Sequence, residues 1–479
     1  MEIRRDFYLD KLIKRKHNGL IKIITGIRRC GKSYLLNNIF YQHLLSCGID
    51  DAHIIRFAFD SADDLQKIGE SLIAMGKEKR GVNPEKFMAY VNSRIADEGM
   101  YYLLLDEVQE MDCFEAVLNG YLRKANMDVY VTGSNAKFLS KDIITEFAGR
   151  GDEMHMYPLS FAEFMSVYPG DKYMGLAEYM LYGGIPVVVL REGTAEKAAA
   201  LQNLLSEIYL SDIYKRNRIR NKGEMEDLLN ILASAIGSLT NYEKLKNTFK
   251  SVKKSKITST TIKKYLDCLE DSFLIEAASR YDVKGKAYID TPKKYYFSDL
   301  GLRNARINFR QFEQTHSMEN VIYNELCMRG YSVDVGVVPI AVRDDSGNVV
   351  RKQLEVDFVC NMGSVRYYIQ SAYSLPDEMK RAQEVRPLKN IDDTFKKIII
   401  TKDIVPAYYD EYGILTVNIY DFLLDCDSLE KSSSSFWHFS LIALEAGLPA
   451  LGAFAFWRRV WRCEASLEEK SAACCKNLL

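Results

Sequence analysis

The sequence predicts an α/β chain of several domains, led by a parallel, helix-flanked sheet that carries a phosphate-binding loop. Three observations predict it. The chain has 479 residues, enough for about three domains at roughly 150 residues each. Short apolar runs at residues 20–24, 53–59, 101–105, 129–132 and 154–158 are separated by segments long enough to hold helices, the alternation that builds a sheet buried on both faces. A glycine-rich, basic loop follows the first run directly, and a helical pattern follows the loop.

Composition narrows the class. With 47% apolar and 27% charged residues, the chain is an ordinary folded protein, which excludes a disordered or multi-span membrane protein. Sixty-four basic against 65 acidic residues leave a formal charge of −1, so any attraction to nucleic acid has to come from a local patch. Ten cysteines without a C-x-x-C pair form neither a disulfide framework nor a structural zinc site. The start Met1-Glu2-Ile3-Arg4-Arg5-Asp6 lacks the apolar run of a secretion signal. The expected location is cytoplasmic.

The loop Gly26-Ile27-Arg28-Arg29-Cys30-Gly31-Lys32-Ser33, with Tyr34 opening the helix, matches G-x-x-x-x-G-K-[ST] between a strand and a helix. Glycines let the backbone curl until its N–H groups face phosphate oxygens, and the helix N-terminus adds positive potential. Lys32 is expected to reach the β and γ oxygens and Ser33 to ligate Mg²⁺, so the implied ligands are ATP and Mg²⁺. The strand at 101–105 then delivers Asp106 and Glu107. Asp106 is placed to hold Mg²⁺ through water, and Glu107 to orient or deprotonate an attacking water. The plainer reading of the acid pair, the start of a solvated helix, weakens beside such a loop.

Val131-Thr132-Gly133-Ser134-Asn135 ends another strand. Ser134 or Asn135 is a candidate γ-phosphate sensor, although strand-end turns favour these residues for backbone reasons alone. Arg150 precedes the last core strand. It is a candidate arginine finger acting on a neighbouring subunit's nucleotide, which requires a homo-oligomer, or else a solvated loop residue.

Taken with Pro158-Leu159-Ser160-Phe161-Ala162-Glu163-Phe164 and Tyr182-Gly183-Gly184-Ile185-Pro186, these residues resemble prokaryotic ATP-binding proteins with an AAA-type core followed by a C-terminal domain of unknown function. The resemblance runs over about residues 1–425. It implies ATP binding and hydrolysis by an AAA-type P-loop core at residues 1–165 and a helical lid at 166–214.

Residues 215–264 carry thirteen Lys or Arg against four acids. Three helices are expected there, near 228–236, 241–249 and 258–269, followed by two strands around Lys284-Gly285-Lys286, the outline of a winged helix over 215–300. Double-stranded DNA, held through residues 244–264, is the expected partner, with a protein partner as the alternative. Residues 301–425 resemble a PD-(D/E)xK nuclease-like fold, with Glu319 on a helix and Glu355-Val356-Asp357 on a strand. Gln370 and Ala372 stand where Glu and Lys are required, so the expected domain is inactive unless Lys352 or Lys380 replaces the missing lysine. Residues 426–479 form an atypical tail with all three tryptophans, read as an interfacial helix, an anchor or an appendage. The function expected is an ATPase that moves or gates its C-terminal module, with a slowly turning nucleotide-dependent protein switch as the alternative.

Overall fold

The computed structural model of the chain describes residues 3–430 except 79, 134–148, 253, 311–312 and 344–347. The expectations for Ser134, Asn135, Lys253 and the tail beyond residue 430, tryptophans included, lie outside the described residues.

The first sheet contains β1 (Ile21–Thr25), β2 (Ile54–Ala58), β3 (Tyr101–Asp106), β4 (Met127–Thr132) and β5 (Gly151–His155), all parallel, in the order β2-β3-β4-β1-β5. Every residue of β1, β3 and β4 is buried, because helices cover both faces of a parallel sheet. The edge strands β2 and β5 expose part of theirs. Lys22 is a polar residue inside β1, and Asp128 on β4 explains it: the two form a buried ion pair. Asp128 also accepts from Tyr130 Oη at 2.8 Å and the His17 amide at 3.1 Å, so the buried charge is satisfied. The strand order separates β1 from β3 by β4. Residues at the end of β4 therefore lie between the loop after β1 and the acids after β3.

The predicted helical lid consists of helices Lys172–Tyr182, Pro186–Val189 and Thr194–Asn203, a π-helical stretch Leu204–Leu210 and helix Ser211–Arg216. Three helices come next in the chain, Lys222–Ser234, Tyr242–Val252 and Ser259–Asp271, the last capped by Thr258 accepting from the Thr261 amide. They lead into a hairpin of β6 (Ile275–Asp282) and β7 (Ala287–Phe297). This hairpin is part of the C-terminal sheet. β6 pairs in parallel with β8 (Ser332–Arg343), extending a mixed eight-stranded sheet with β9 (Val349–Met362), β10 (Val365–Ala372), β11 (Lys396–Thr401), β12 (Tyr408–Tyr409) and β13 (Leu415–Asn418). Its order is β12-β13-β11-β10-β9-β8-β6-β7.

Ile21, Ile23, Leu103, Leu105, Val129 and Val131 form a separate core on one face of the first sheet. Ile24, Leu104 and Tyr130 on the other face belong to a core that runs without a break through Leu204 and Tyr209 of the helical stretch to Tyr296, Phe358 and Ile369 of the second sheet. Apolar packing thus connects the loop after β1 to the C-terminal sheet. No helix among the described residues is long and apolar enough to cross a membrane.

Candidate nucleotide site

The loop after β1 is a tight cradle. Gly26 has φ +140°, and a Cβ there would lie 2.1 Å from the Met156 carbonyl oxygen, so only glycine lets the loop pass so close to the residue after β5. Lys32 is buried, and its Nζ donates to the carbonyls of Gly26 at 2.9 Å and Ile27 at 3.1 Å. The ammonium is held over the loop by acceptors that phosphate oxygens would replace. Ser33 Oγ donates to Asp106 Oδ1 at 3.0 Å. This joins the first helical turn to the end of β3 and brings together the two residues expected to hold Mg²⁺.

Thr132, at the end of β4, donates its hydroxyl to Asp106 and accepts from the Glu107 amide at 3.2 Å. The intervening strand therefore fixes both acids. Glu107 has φ +51°, and Gln109 Nε2 donates to its carboxylate. The loop and Glu107 line one cleft of about 580 Å³ with Asp60, Glu110, Pro186 and Val187, a size suited to a nucleotide. Burial raises the carboxyls of Asp106, Asp60 and Glu110 above their ordinary range, and Glu107's charge adds to each. Hydrogen bonds from Thr132 and Ser33 moderate the effect at Asp106. A carboxylate-rich cleft next to a hydroxyl is a donor set that fits a hard divalent cation.

The Leu204–Leu210 and Ser211–Arg216 helical stretches hold the loop from outside. Tyr209 Oη donates to the Arg28 carbonyl at 2.5 Å, and Asp212 pairs with Arg28 at 3.3 Å and with Arg216 at 2.7 Å. Arg216 lies in the field of Glu107 and Glu110. Arg5, 3% exposed, donates to the carbonyls of Cys30 at 2.9 Å and Tyr157 at 2.8 Å and pairs with Glu163 at 2.9 Å. Glu163 also closes a capping box with Ser160. The Pro158 to Phe164 motif is thereby explained, since it presents the carboxylate that anchors Arg5 under the phosphate loop.

The Tyr182 to Pro186 motif has a matching explanation. Pro186 and Val187 form a wall of the cleft, while two residues earlier the Gly184 amide donates to Asp299 Oδ2 at 2.7 Å. A Cβ on Gly184 would lie 2.3 Å from the Leu159 carbonyl oxygen. Asp299 caps helix Leu300–Arg306, whose Asn304 donates to the Met180 and Leu181 carbonyls at 3.0 and 2.9 Å and whose Arg303 donates to Ala233 at 2.7 Å. Burial pushes the Asp299 carboxyl up to about 6, against the opposing pull of backbone amides from Gly184, Leu302 and Gly301.

The other expected residues are spread over the molecule. Arg150 is exposed beside Asn119 at 3.3 Å, and its carbonyl accepts from Ile21 at the start of β1. It stands at the opposite end of the strand from the loop in its own chain. Lys244, Lys250, Lys254, Lys256, Lys263 and Lys264 are exposed on or beside helices Tyr242–Val252 and Ser259–Asp271. In the second sheet Glu319, Glu355 and Asp357 surround one lysine. It is neither Lys352 nor Lys380, which pairs with Glu384, but Lys294 of β7, at 2.8, 2.8 and 3.5 Å. The expectation of Lys352 or Lys380 is corrected because a hairpin outside the sequence range of this domain supplies the ammonium. Gln370 is buried with its amide oxygen unpartnered, and Ala372 is buried.

Sequence reasoning missed Asp60, Glu110, Tyr209, Asp212, Arg216, Asp299 and Lys294. Only Asp60 carried a local signal, as the acid that directly follows an apolar strand run.

Residues 18–165 match the family model of an AAA domain, and residues 174–313 match that of a domain of unknown function, DUF8612. An uncharacterized protein of Haemophilus influenzae is 33% identical over 431 residues, covering 88% of this chain and 98% of that protein. The uncharacterized protein MJ1544 of Methanocaldococcus jannaschii is 27% identical, covering 92% and 91%. Among solved structures, the ORC2 protein of Aeropyrum pernix in ADPNP-ADP complexes covers 63% of this chain and 91% of its own at 12% identity and TM-score 0.34. Cdc6p of Pyrobaculum aerophilum covers 64% and 95% at 13% identity and TM-score 0.28. Likenesses this loose assign nothing to individual residues.

Proposed function

The chain belongs to the same family as the Haemophilus influenzae protein, whose length it spans almost completely, and from that premise we propose an AAA-type ATPase that couples ATP hydrolysis to motion of its C-terminal module. The observation that carries the reading is the cleft itself. One wall is a phosphate cradle with Lys32, Ser33 and Glu107, backed by Asp106 bonded to Ser33, and another is the Pro186–Val189 helix, tied through Gly184 to Asp299.

In this reading the loop amides and Lys32 bind the β and γ phosphates, the ammonium exchanging the carbonyls of Gly26 and Ile27 for phosphate oxygens. Ser33 and Asp106 would hold Mg²⁺, which, when bound, neutralises charge on the phosphates. Glu107, oriented by Gln109 and by the hydrogen bond its backbone N–H donates to the Thr132 hydroxyl, positions the attacking water and takes its proton. Arg28 and Arg216, both paired to Asp212, supply positive potential from the lid side. Arg150 acts in trans in an oligomer, consistent with its distance from the loop of its own chain. Nucleotide contact with Pro186 and Val187 moves the Gly184–Asp299 joint, and with it the helix that packs on the second sheet.

The lysines of residues 244–264 are read as a duplex DNA surface. Asp267, exposed one turn after Lys263, reduces the charge of that face and favours the second reading, a protein partner on the same surface. ATP turnover by wild type and Glu107→Gln, each with and without duplex DNA over a salt series, tests both. The proposal expects wild-type turnover that DNA raises at low salt, and a Glu107→Gln protein that binds ATP without hydrolysing it. Turnover indifferent to DNA supports the protein partner, and equal turnover by both proteins contradicts the ATPase reading.

A further inference from the structure

The nuclease-like reading of the second sheet implies a divalent cation at Asp357, and the residues present do not fit one. Glu319 arrives from helix Gln314–Met328, and Glu355 and Asp357 from β9. All three carboxylates point at one ammonium, Lys294 Nζ, which lies 2.8 Å from Glu319, 2.8 Å from Glu355 and 3.5 Å from Asp357. The two 2.8 Å contacts are charge-assisted N–H···O distances and the 3.5 Å one is a longer ion pair, whereas Mg²⁺ holds its oxygens at about 2.0–2.1 Å. The Lys294 ammonium donates to Glu319, and Glu355 and Asp357 complete the ring of negative charge around it.

The surroundings complete the arrangement. Tyr296 Oη donates to Glu319 at 2.6 Å, and the Ser371 amide donates to Asp357 at 2.8 Å. The Lys294 side chain is 4% exposed. Among the described residues, the only trio of acidic, histidine or cysteine side chains gathered tightly enough for a single ion is half-buried Asp425 with exposed Cys426 and Asp427, not these three. The lysine comes from β7, which does not neighbour β9 in the sheet. Its ammonium thus ties the end of the hairpin, five residues before Asp299, to the carboxylates of the central strand.

We propose that Lys294 is the built-in cation of this site, occupying the place a metal ion would need, so that the second sheet is a metal-independent module that binds and transmits rather than cleaves. The proposal rests on the nuclease-like reading of the sheet and not on ATP turnover. Removing the lysine leaves carboxylates that a divalent ion can then bridge.

The test is thermal unfolding of the full chain, free of nucleotide, in EDTA and in Mn²⁺, for wild type, Asp357→Asn, Lys294→Ala and the double variant Lys294→Ala/Asp357→Asn. The expected result has four parts. Any Mn²⁺ response of wild type is unchanged in Asp357→Asn. Lys294→Ala unfolds at a lower temperature in EDTA and regains at least half of the loss in Mn²⁺. The double variant regains none, and wild type cleaves no DNA in Mn²⁺. A wild-type Mn²⁺ stabilisation abolished by Asp357→Asn overturns the proposal whether or not Lys294→Ala folds. Mn²⁺-dependent cleavage lost in Asp357→Asn overturns it too while upholding the nuclease-like reading, and a Lys294→Ala protein indifferent to Mn²⁺ overturns both.

Discussion

Gly184 and Asp299, 115 residues apart, are joined by a 2.7 Å hydrogen bond from the Gly184 amide to Asp299 Oδ2. Leu159, in the motif that anchors Arg5, donates its amide to the Gly184 carbonyl at 2.8 Å. One glycine therefore links the cleft wall, the support of the phosphate loop and the cap of the helix that leads into the C-terminal sheet. Gly184→Ala places a methyl group 2.3 Å from the Leu159 carbonyl oxygen, which the backbone cannot accommodate without breaking these bonds. The expected loss is about 2–3 kcal/mol of stability, measured by denaturant unfolding.

Asp299 sets a pH dependence. Its carboxyl is raised to about 6 by burial, so the folded protein holds a proton that the unfolded chain releases at lower pH. Stability from this group is complete below the unfolded value and is lost as pH rises through about 6. Asp299→Asn removes the titration. Between pH 4.5 and 7, the stability of wild type relative to the variant is expected to fall by roughly 2 kcal/mol, read from urea midpoints at the two pH values.

Arg5 supports the phosphate loop from below. Arg5→Ala releases the carbonyls of Cys30 and Tyr157 and leaves Glu163 buried without its cation. The expected cost is about 3 kcal/mol, together with weaker nucleotide binding because Cys30 belongs to the loop. Arg5→Lys is expected to restore little, since one ammonium cannot reproduce a planar fork with three partners. Unfolding and nucleotide titration of both variants check this.

If duplex DNA is the partner, Lys263→Ala and Lys264→Ala each lower the slope of log affinity against log salt by about 1 and weaken binding evenly across sequences. Fluorescence anisotropy over a salt series reads both quantities. An unchanged slope in both variants assigns this face to another partner.

The first sheet and the cleft that gathers the phosphate-loop motif with Glu107 are largely legible in the sequence because their information is contiguous. Gly26 to Ser33 sits in one loop, and Asp106 and Glu107 follow one apolar strand. Strand limits moved where burial is partial: β5 starts at Gly151 rather than 154 because it is an edge strand with only one fully buried residue. What stayed hidden is long-range. Arg5 meets Cys30 and Tyr157, Gly184 meets Asp299, and Lys294 meets Asp357 across the sheet. None of these pairs can be read from periodicity or local spacing. The merging of β6 and β7 into the eight-stranded sheet is hidden for the same reason, since pairing between Arg280 and Val335 depends on packing and not on turn chemistry.

The central claim is that nucleotide in the cleft is felt at Asp299 and beyond. Amide hydrogen exchange of the Glu107→Gln protein with Mg²⁺, with and without ATP, tests it most directly, because ATP remains bound unhydrolysed. The account predicts that ATP changes exchange in the phosphate loop and also in helix Leu300–Arg306 and β7, and that Asp299→Asn abolishes the second change while keeping the first. A change confined to the phosphate loop, with helix Leu300–Arg306 and β7 indifferent to ATP, would contradict it.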